Sequence, residues 1–267
     1  MKKMIKTRMI AIMACCVASI AMFGSCGSSV EANFGRNEFT QEEMRAKPFN
    51  KIEMDGVMNV YYTQNDGDSC GVRIDYASIK DKEVRDEYKR TLRLGYKEGK
   101  LIITQVGSRF KNKNQTISIY VTSPDLLEVE HDGVGKFYAE KINSDRFEVS
   151  NDGVGEVRIK HLLANTVDVS NDGVGSVNIE KLQGDVVEVS NDGVGSTKLD
   201  NVKCKNLRID NDGVGSVKAH VDCDKLDVSL DGVGSVKLSG VTRELKKHRD
   251  GVGSISISDL QFTKEIK

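Results

Sequence analysis

Residues 147–182 read FEVSNDGVGEVRIKHLLANTVDVSNDGVGSVNIEKL, with Asp-Gly-Val-Gly at Asp152 and again at Asp172, each copy set between two short alternating apolar runs. Working outward, the same tetrapeptide begins at Asp132, Asp192, Asp212, Asp231 and Asp250. The intervals are 20, 20, 20, 20, 19 and 19 residues. A fixed period near this length, with no helix-forming stretch between copies, predicts a β-solenoid: one repeat is one coil, and it buries its apolar face by stacking on its neighbours. The expected fold is all-β, a single-stranded β-helix of about seven such coils with a β-rich capping unit before it.

With each Asp taken as position zero, position five reads Phe137, Val157, Val177, Thr197, Val217, Val236, Ile255, and position seven Ala139, Ile159, Ile179, Leu199, Ala219, Leu238, Ile257. These alternate with polar residues such as Arg158, Asn178 and Lys198, the period of a half-buried strand. A second alternating pair precedes each motif, for example Phe147 with Val149 and Leu207 with Ile209. A third apolar corner follows at Ile142, Leu162, Leu182, Val202, Val221, Val241 and Leu260. Within the motif we expect the Val at position two to point inward, the two glycines to supply positive φ at the corner, and the Asp to cap its own turn through an Asx hydrogen bond. Coils stacked at about 4.8 Å would make a rod roughly 34 Å long.

The remaining chain divides around this body. Residues 1–25 have a basic start (Lys2, Lys3, Lys6, Arg8), an apolar run from Met9 to Phe23, and small residues before Cys26. This resembles a bacterial lipoprotein signal whose lipobox is Phe23-Gly24-Ser25-Cys26, so Cys26 is the expected lipidation site and membrane anchor. Residues 26–47 read as a tether, 48–124 as the capping unit and 125–267 as the repeats. In the capping unit Asp55-Gly56-Val57 looks like a degenerate motif copy. Strands are predicted near Val60–Thr63, Val72–Tyr76, Leu92–Tyr96, Leu101–Val106 and Ile117–Val121, with a hairpin turn at 97–100 and a short helix over Ile79–Tyr88. The decaying pattern after Lys247 reads as a C-terminal cap.

The full chain carries 39 Lys+Arg against 40 Asp+Glu. Removing the leader, with its four basic and no acidic residues, leaves a mildly acidic protein without the electrostatic footprint of a nucleic-acid binder. The Asp ladder (Asp132, Asp152, Asp172, Asp192, Asp212, Asp231, Asp250) has two readings: turn chemistry flanked by a stacked row of Asn151, Asn171, Asn191 and Asn211, or a Ca²⁺ site built from successive carboxylates. No other cofactor is expected. Cys204 and Cys223 fall at equivalent places in successive coils, within reach of a disulfide if the geometry allows one. Cys70 has no evident partner.

Nearly uniform coils without inserted loops argue against a polysaccharide-cleaving β-helix enzyme, because an acid and a base need irregular loops to converge. The Phe49…Ile52…Gly56…Val60 opening, the segment Ile117-Ser-Ile-Tyr-Val leading to Pro124, and the serial Gly-x-Gly coils together resemble the auto-transporter adhesin, head GIN domain family. That resemblance implies a β-helix-like fold in secreted or lipid-anchored proteins of the Bacteroidetes type, and no catalytic residues. The function it implies is a non-catalytic cell-envelope module, an outer-membrane lipoprotein on the surface or the periplasmic face, binding a protein or glycan. The alternatives are a periplasmic scaffold or stress sensor, and a carbohydrate-active enzyme.

Overall fold

The computed structural model describes residues 47–107 and 115–266, all within one compact unit. Cys26 and the leader lie outside the described residues. From the first repeat onward the chain forms β7 (Glu128–His131), β8 (Val134–Asn151), β9 (Val154–Asn171), β10 (Ser176–Gln183), β11 (Val186–Ser190), β12 (Ser196–Asn211), β13 (Val214–Leu230), β14 (Val233–Arg249) and β15 (Val252–Ile266). Each coil pairs in parallel with the next, residue on equivalent residue: Val134 on Val154 through Asn151 on Asn171, Val214 on Val233 through Leu230 on Arg249. The repeat period is therefore the coil length. This is the β-solenoid that the repeat predicts.

Alternation sets the core. Phe147, Val149, Phe137, Ala139 and their equivalents through β13 are almost fully buried, and the apolar cluster runs without a break from Phe49 to Leu260. One corner residue departs from expectation. Val241 is 50% exposed because Gly240, at φ 103°, takes the inward place beside Val221 and turns Val241 out beside Asp222. An added Cβ on Gly240 would sit 2.1 Å from the Val221 carbonyl oxygen, so only glycine fits there.

The capping unit extends the same stack. Its elements are β1 (Lys51–Asp55), β2 (Val57–Gln64), β3 (Gly71–Asp75), α1 (Lys82–Thr91), β4 (Leu92–Lys97), β5 (Lys100–Gln105) and β6 (Ile117–Ser123). β1 lies between β7 and β5, and β2 lies between β8 and β6, all parallel. Val57 aligns with Val134 and Met54 with His131, so Asp55-Gly56-Val57 is a further copy in register. Beyond these, β3 and β4 add antiparallel edges, and Glu98 and Gly99 make the expected two-residue turn with positive φ at both. The helix starts three residues later than the spacing suggests because Asp81 caps it, accepting from the N–H groups of Glu83 and Val84. Val84 and Tyr88 bury its inner face. Among the described residues no helix is long and apolar enough to cross a membrane.

At the other end, β15 pairs with β14 alone, and its core positions Ile255 and Ile257 are only partly covered. The decayed pattern there is an open last coil; no described element folds over it as a cap.

Candidate functional site

Each motif forms one corner of the coil, where strand pairing breaks at the Asp and first glycine while the in–out alternation of side chains carries through. Position minus one, both glycines and position five point inward; the Asp, the Val and position four point outward. The valines are therefore exposed, from 46% at Val134 through 52–55% at Val154, Val174, Val194, Val214 and Val233 to 75% at Val252. This corrects the inward placement expected for them. The glycines are likewise not there for positive φ, which within the seven copies occurs only at Gly135 (139°). Successive corners approach too closely for a side chain: a Cβ on Gly193 would lie 2.2 Å from the Gly173 carbonyl oxygen. The Val194 N–H donates to that same oxygen at 3.0 Å.

Behind the valines the inward asparagines form a buried chain of hydrogen bonds. The Nδ2 of Asn151 donates to Oδ1 of Asn171 at 2.7 Å, Asn171 to Asn191 at 2.9 Å, and Asn191 to Asn211 at 2.7 Å. His131 heads the row, 2.6 Å from Asn151 Oδ1. The amide of Asn151 is committed onward, so Nδ1 of His131 must be the donor, which leaves its buried Nε2 without a partner. Burial holds the His131 pKa below its ordinary value. Leu230 ends the row, and Asn211 Nδ2 is left unpaired.

The Asp carboxylates stand on the outer side. Those of Asp152 and Asp172 accept from the hydroxyls of Ser150 and Ser170, at 3.2 and 3.1 Å, and Asp172 also accepts from the backbone of Asp192. These bonds reach back two residues and up to the next coil; they are not the Asx bonds expected of the turn. Partial burial and neighbouring carboxylates push Asp132 and Asp192 up to about 6 and raise Asp172 as well. Asp168, outward on an adjoining row between Glu148 and Glu188, is also pushed to about 6, by burial first.

A carboxylate whose folded pKa exceeds its unfolded value binds its proton more tightly when folded, so stability falls as pH rises from about 4 through about 6. His131, with its folded pKa lowered, acts in the opposite sense, but singly. The melting temperature is expected to be higher at pH 5 than at pH 7.5, and Asp192→Asn to narrow that gap by raising the value at pH 7.5. Melts of both proteins at the two pH values check this.

Cys204 and Cys223 are register partners, buried, and present as free thiols; a hydrogen bond between them raises the Cys204 pKa and lowers that of Cys223. Cys70 lies buried in the core and hydrogen-bonds the Phe49 backbone, at 3.4 and 3.5 Å. The sequence reading missed two groupings. His248 comes within 2.9 Å of Asp250 and 4.0 Å of Asp231, a solvent-exposed set that joins two ladder carboxylates to an imidazole. Tyr120, Tyr61 and Tyr138, remote in the chain, form one outward row across β6, β2 and β8 with centroids 5.3 and 6.2 Å apart. Arg73 covers the outer face of Tyr120 at 4.0 Å, and Lys160 lies over Tyr138 at 5.8 Å. Their faces are taken by one another and by these cations, and the Tyr138 hydroxyl donates to Glu140 at 2.5 Å.

The family model for the putative auto-transporter adhesin, head GIN domain, matches residues 48–218 and again 181–267. The chain belongs to this family. Among solved structures, it is similar to a putative adhesin from Bacteroides fragilis, at 25% identity and TM-score 0.67, covering 83% of this chain and 94% of that one. A putative adhesin from Parabacteroides merdae matches at 16% identity and TM-score 0.59, covering 84% and 94%. A putative lipid binding protein from Parabacteroides distasonis matches at 17% identity and TM-score 0.51, covering 83% and 94%. The latter two, at these identities, carry the fold alone. No curated protein matches.

Proposed function

We propose that this family member is a non-catalytic adhesin of the cell envelope, held to a membrane by lipid on Cys26 and binding through the repeated outward rows of its coils. The observation that carries the reading is the parallel register from β8 to β15, shifted by one residue only after Leu199 and after Lys237, by which each outward position recurs once per coil. Weak equivalent contacts at a fixed spacing sum into strong attachment when several engage together. The row Arg158, Asn178, Lys198, Lys218 and Lys237 is one such face, polar and mostly basic, with Arg158 paired to Glu180 and Lys198 to Asp200. It suits a glycan or protein surface bearing acceptor oxygens.

Protease shaving of intact cells tests the location: rapid loss of the protein supports a surface adhesin, and full protection sinks it in favour of a periplasmic scaffold. Cleavage of a polysaccharide by the purified protein would overturn the non-catalytic reading. The carboxylate ladder, with Asp231, His248 and Asp250 at its open end, offers oxygen and nitrogen ligands to a divalent cation, and Ca²⁺ is the ion we assign to it if it takes one. A ligand that binds only the folded state raises the melting temperature by mass action. Melts in excess EDTA and in millimolar Ca²⁺ are expected to differ by several degrees; coincident melts would leave the ladder without a metal role.

A further inference from the structure

The valine corner is a second exposed feature, separate from the flat coil faces. Seven half-exposed valines follow one another at the coil spacing as an apolar ridge roughly 29 Å long, and from Val154 on this ridge is one wall of a groove that has the glycines as its floor and the Asp carboxylates as its other wall. Two polar rows flank it. On one side stand the Asp carboxylates; on the other, at position four, stand Lys136, Glu156, Ser176, Ser196, Ser216, Ser235 and Ser254. An occupant must bury valines, meet carboxylates on one flank with donors and meet hydroxyls on the other with acceptors, at this same spacing.

We propose that the occupant is a second copy of this chain, lying parallel to the first about a two-fold axis that runs along the rods. Such an axis reverses the order of the three rows between the copies while keeping each coil level with its counterpart. Every valine then meets the same valine of the second copy, and every Asp meets a position-four residue. Five of the seven pairings set a carboxylate against a serine hydroxyl, which donates to it. Asp132 meets Lys136. Asp152 meets Glu156, the single mismatch, and Lys136 already lies 3.1 Å from Glu156 and offsets it.

The antiparallel alternative places Asp row against Asp row along the whole ridge, adding like charges to carboxylates already crowded within one copy. A parallel pair also sends both amino-terminal ends the same way, which suits two chains anchored in one membrane by the proposed lipid. The ridge is narrow, well below the area of a standard stable interface. Tethering in a common membrane supplies the local concentration that a small interface needs. Pairing would also double the number of binding faces offered; it rests on the lipid anchor of the proposed function but not on what the coils bind.

Variants of the full-length, membrane-anchored chain with one cysteine added on the ridge test the arrangement. Val154→Cys, Val194→Cys and Val233→Cys, each made separately, should all form disulfide-linked dimers under mild oxidation. The expected yield is about tenfold above that of Lys225→Cys, which lies away from the ridge, with the unmodified chain measuring the background of the buried native thiols. Adding Val214→Asp should abolish the Val154→Cys cross-link, and a melt would show that the exposed substitution leaves the fold intact. Cross-linking by Val194→Cys alone, or only in mixtures of Val154→Cys with Val233→Cys, would overturn the parallel arrangement. Yields at the control level for all three would overturn self-association through the ridge. Neither result bears on protease shaving, so the two proposals fail separately.

Discussion

Gly193→Ala is expected to destabilise the protein by about 4 kcal/mol or more, enough to lower the melting temperature by ten degrees or more. The new Cβ would lie 2.2 Å from the Gly173 carbonyl oxygen and 2.4 Å from the carbonyl carbon and oxygen of Asp172, all backbone atoms of the coil below. A flexible side chain could swing away from such an approach; a carbonyl held in a parallel ladder cannot. Relief requires the two coils to part, which breaks the Val194 N–H bond to the same Gly173 oxygen. It also strains the asparagine bond just behind it. Two controls frame the result. Gly67→Ala, where the nearest atom is an Asn65 side-chain oxygen at 3.9 Å, should stay within about 0.5 kcal/mol of the parent. Val194→Ser, on an outward residue, should do the same. Thermal melts of the three variants decide it: a large loss at Val194 with little at Gly193 would restore the reading in which the valine faces the core.

That reading was natural and its failure is instructive. An apolar residue present in every repeat reads as core, and glycine-rich corners are usual sites of positive φ. Yet the sequence held a contrary signal. Phe147, Val149, Asn151, Gly153, Gly155, Val157 and Ile159 all share one parity, so a strand running straight through the corner puts Asn and both glycines inside and Val outside. Burial of these asparagines is what the structure shows, at 0% exposure for Asn151, Asn171, Asn191 and Asn211.

The coil length, the core pairs, the further motif copy at Asp55 and the hairpin at Glu98–Gly99 were all legible, because local periodicity and turn chemistry fix them. The tyrosine row and the Asp231–His248–Asp250 set were not. They depend on which strands become neighbours, and β2 reaches its place between β6 and β8 out of chain order. Val241 likewise reads as an apolar corner residue, and only the register places Gly240 in the inward position under the Val221 carbonyl.

Because the asparagine row is buried and directional, its energetics depend on position. Asn191→Leu, in mid-row, removes two hydrogen bonds and strands the Nδ2 of Asn171 and the Oδ1 of Asn211 in a dry corner. Each buried polar group left unpaired costs about 1–3 kcal/mol, and the leucine recovers part of this through its own apolar burial. A net loss of about 3 kcal/mol is expected, some 6–12 °C in the melting temperature for a domain of this size. At the end of the row the Nδ2 of Asn211 already lacks a partner, so Asn211→Leu strands only the Nδ2 of Asn191 and removes one orphan as it does so. Its cost should be about 1 kcal/mol. Melts of the two single variants read the difference. A graded loss, larger in the middle than at the end, means that the asparagines act as a connected chain of donors and acceptors. Equal losses would mean that each merely fills its corner, and the coils would then owe their stacking to backbone ladders and apolar packing alone.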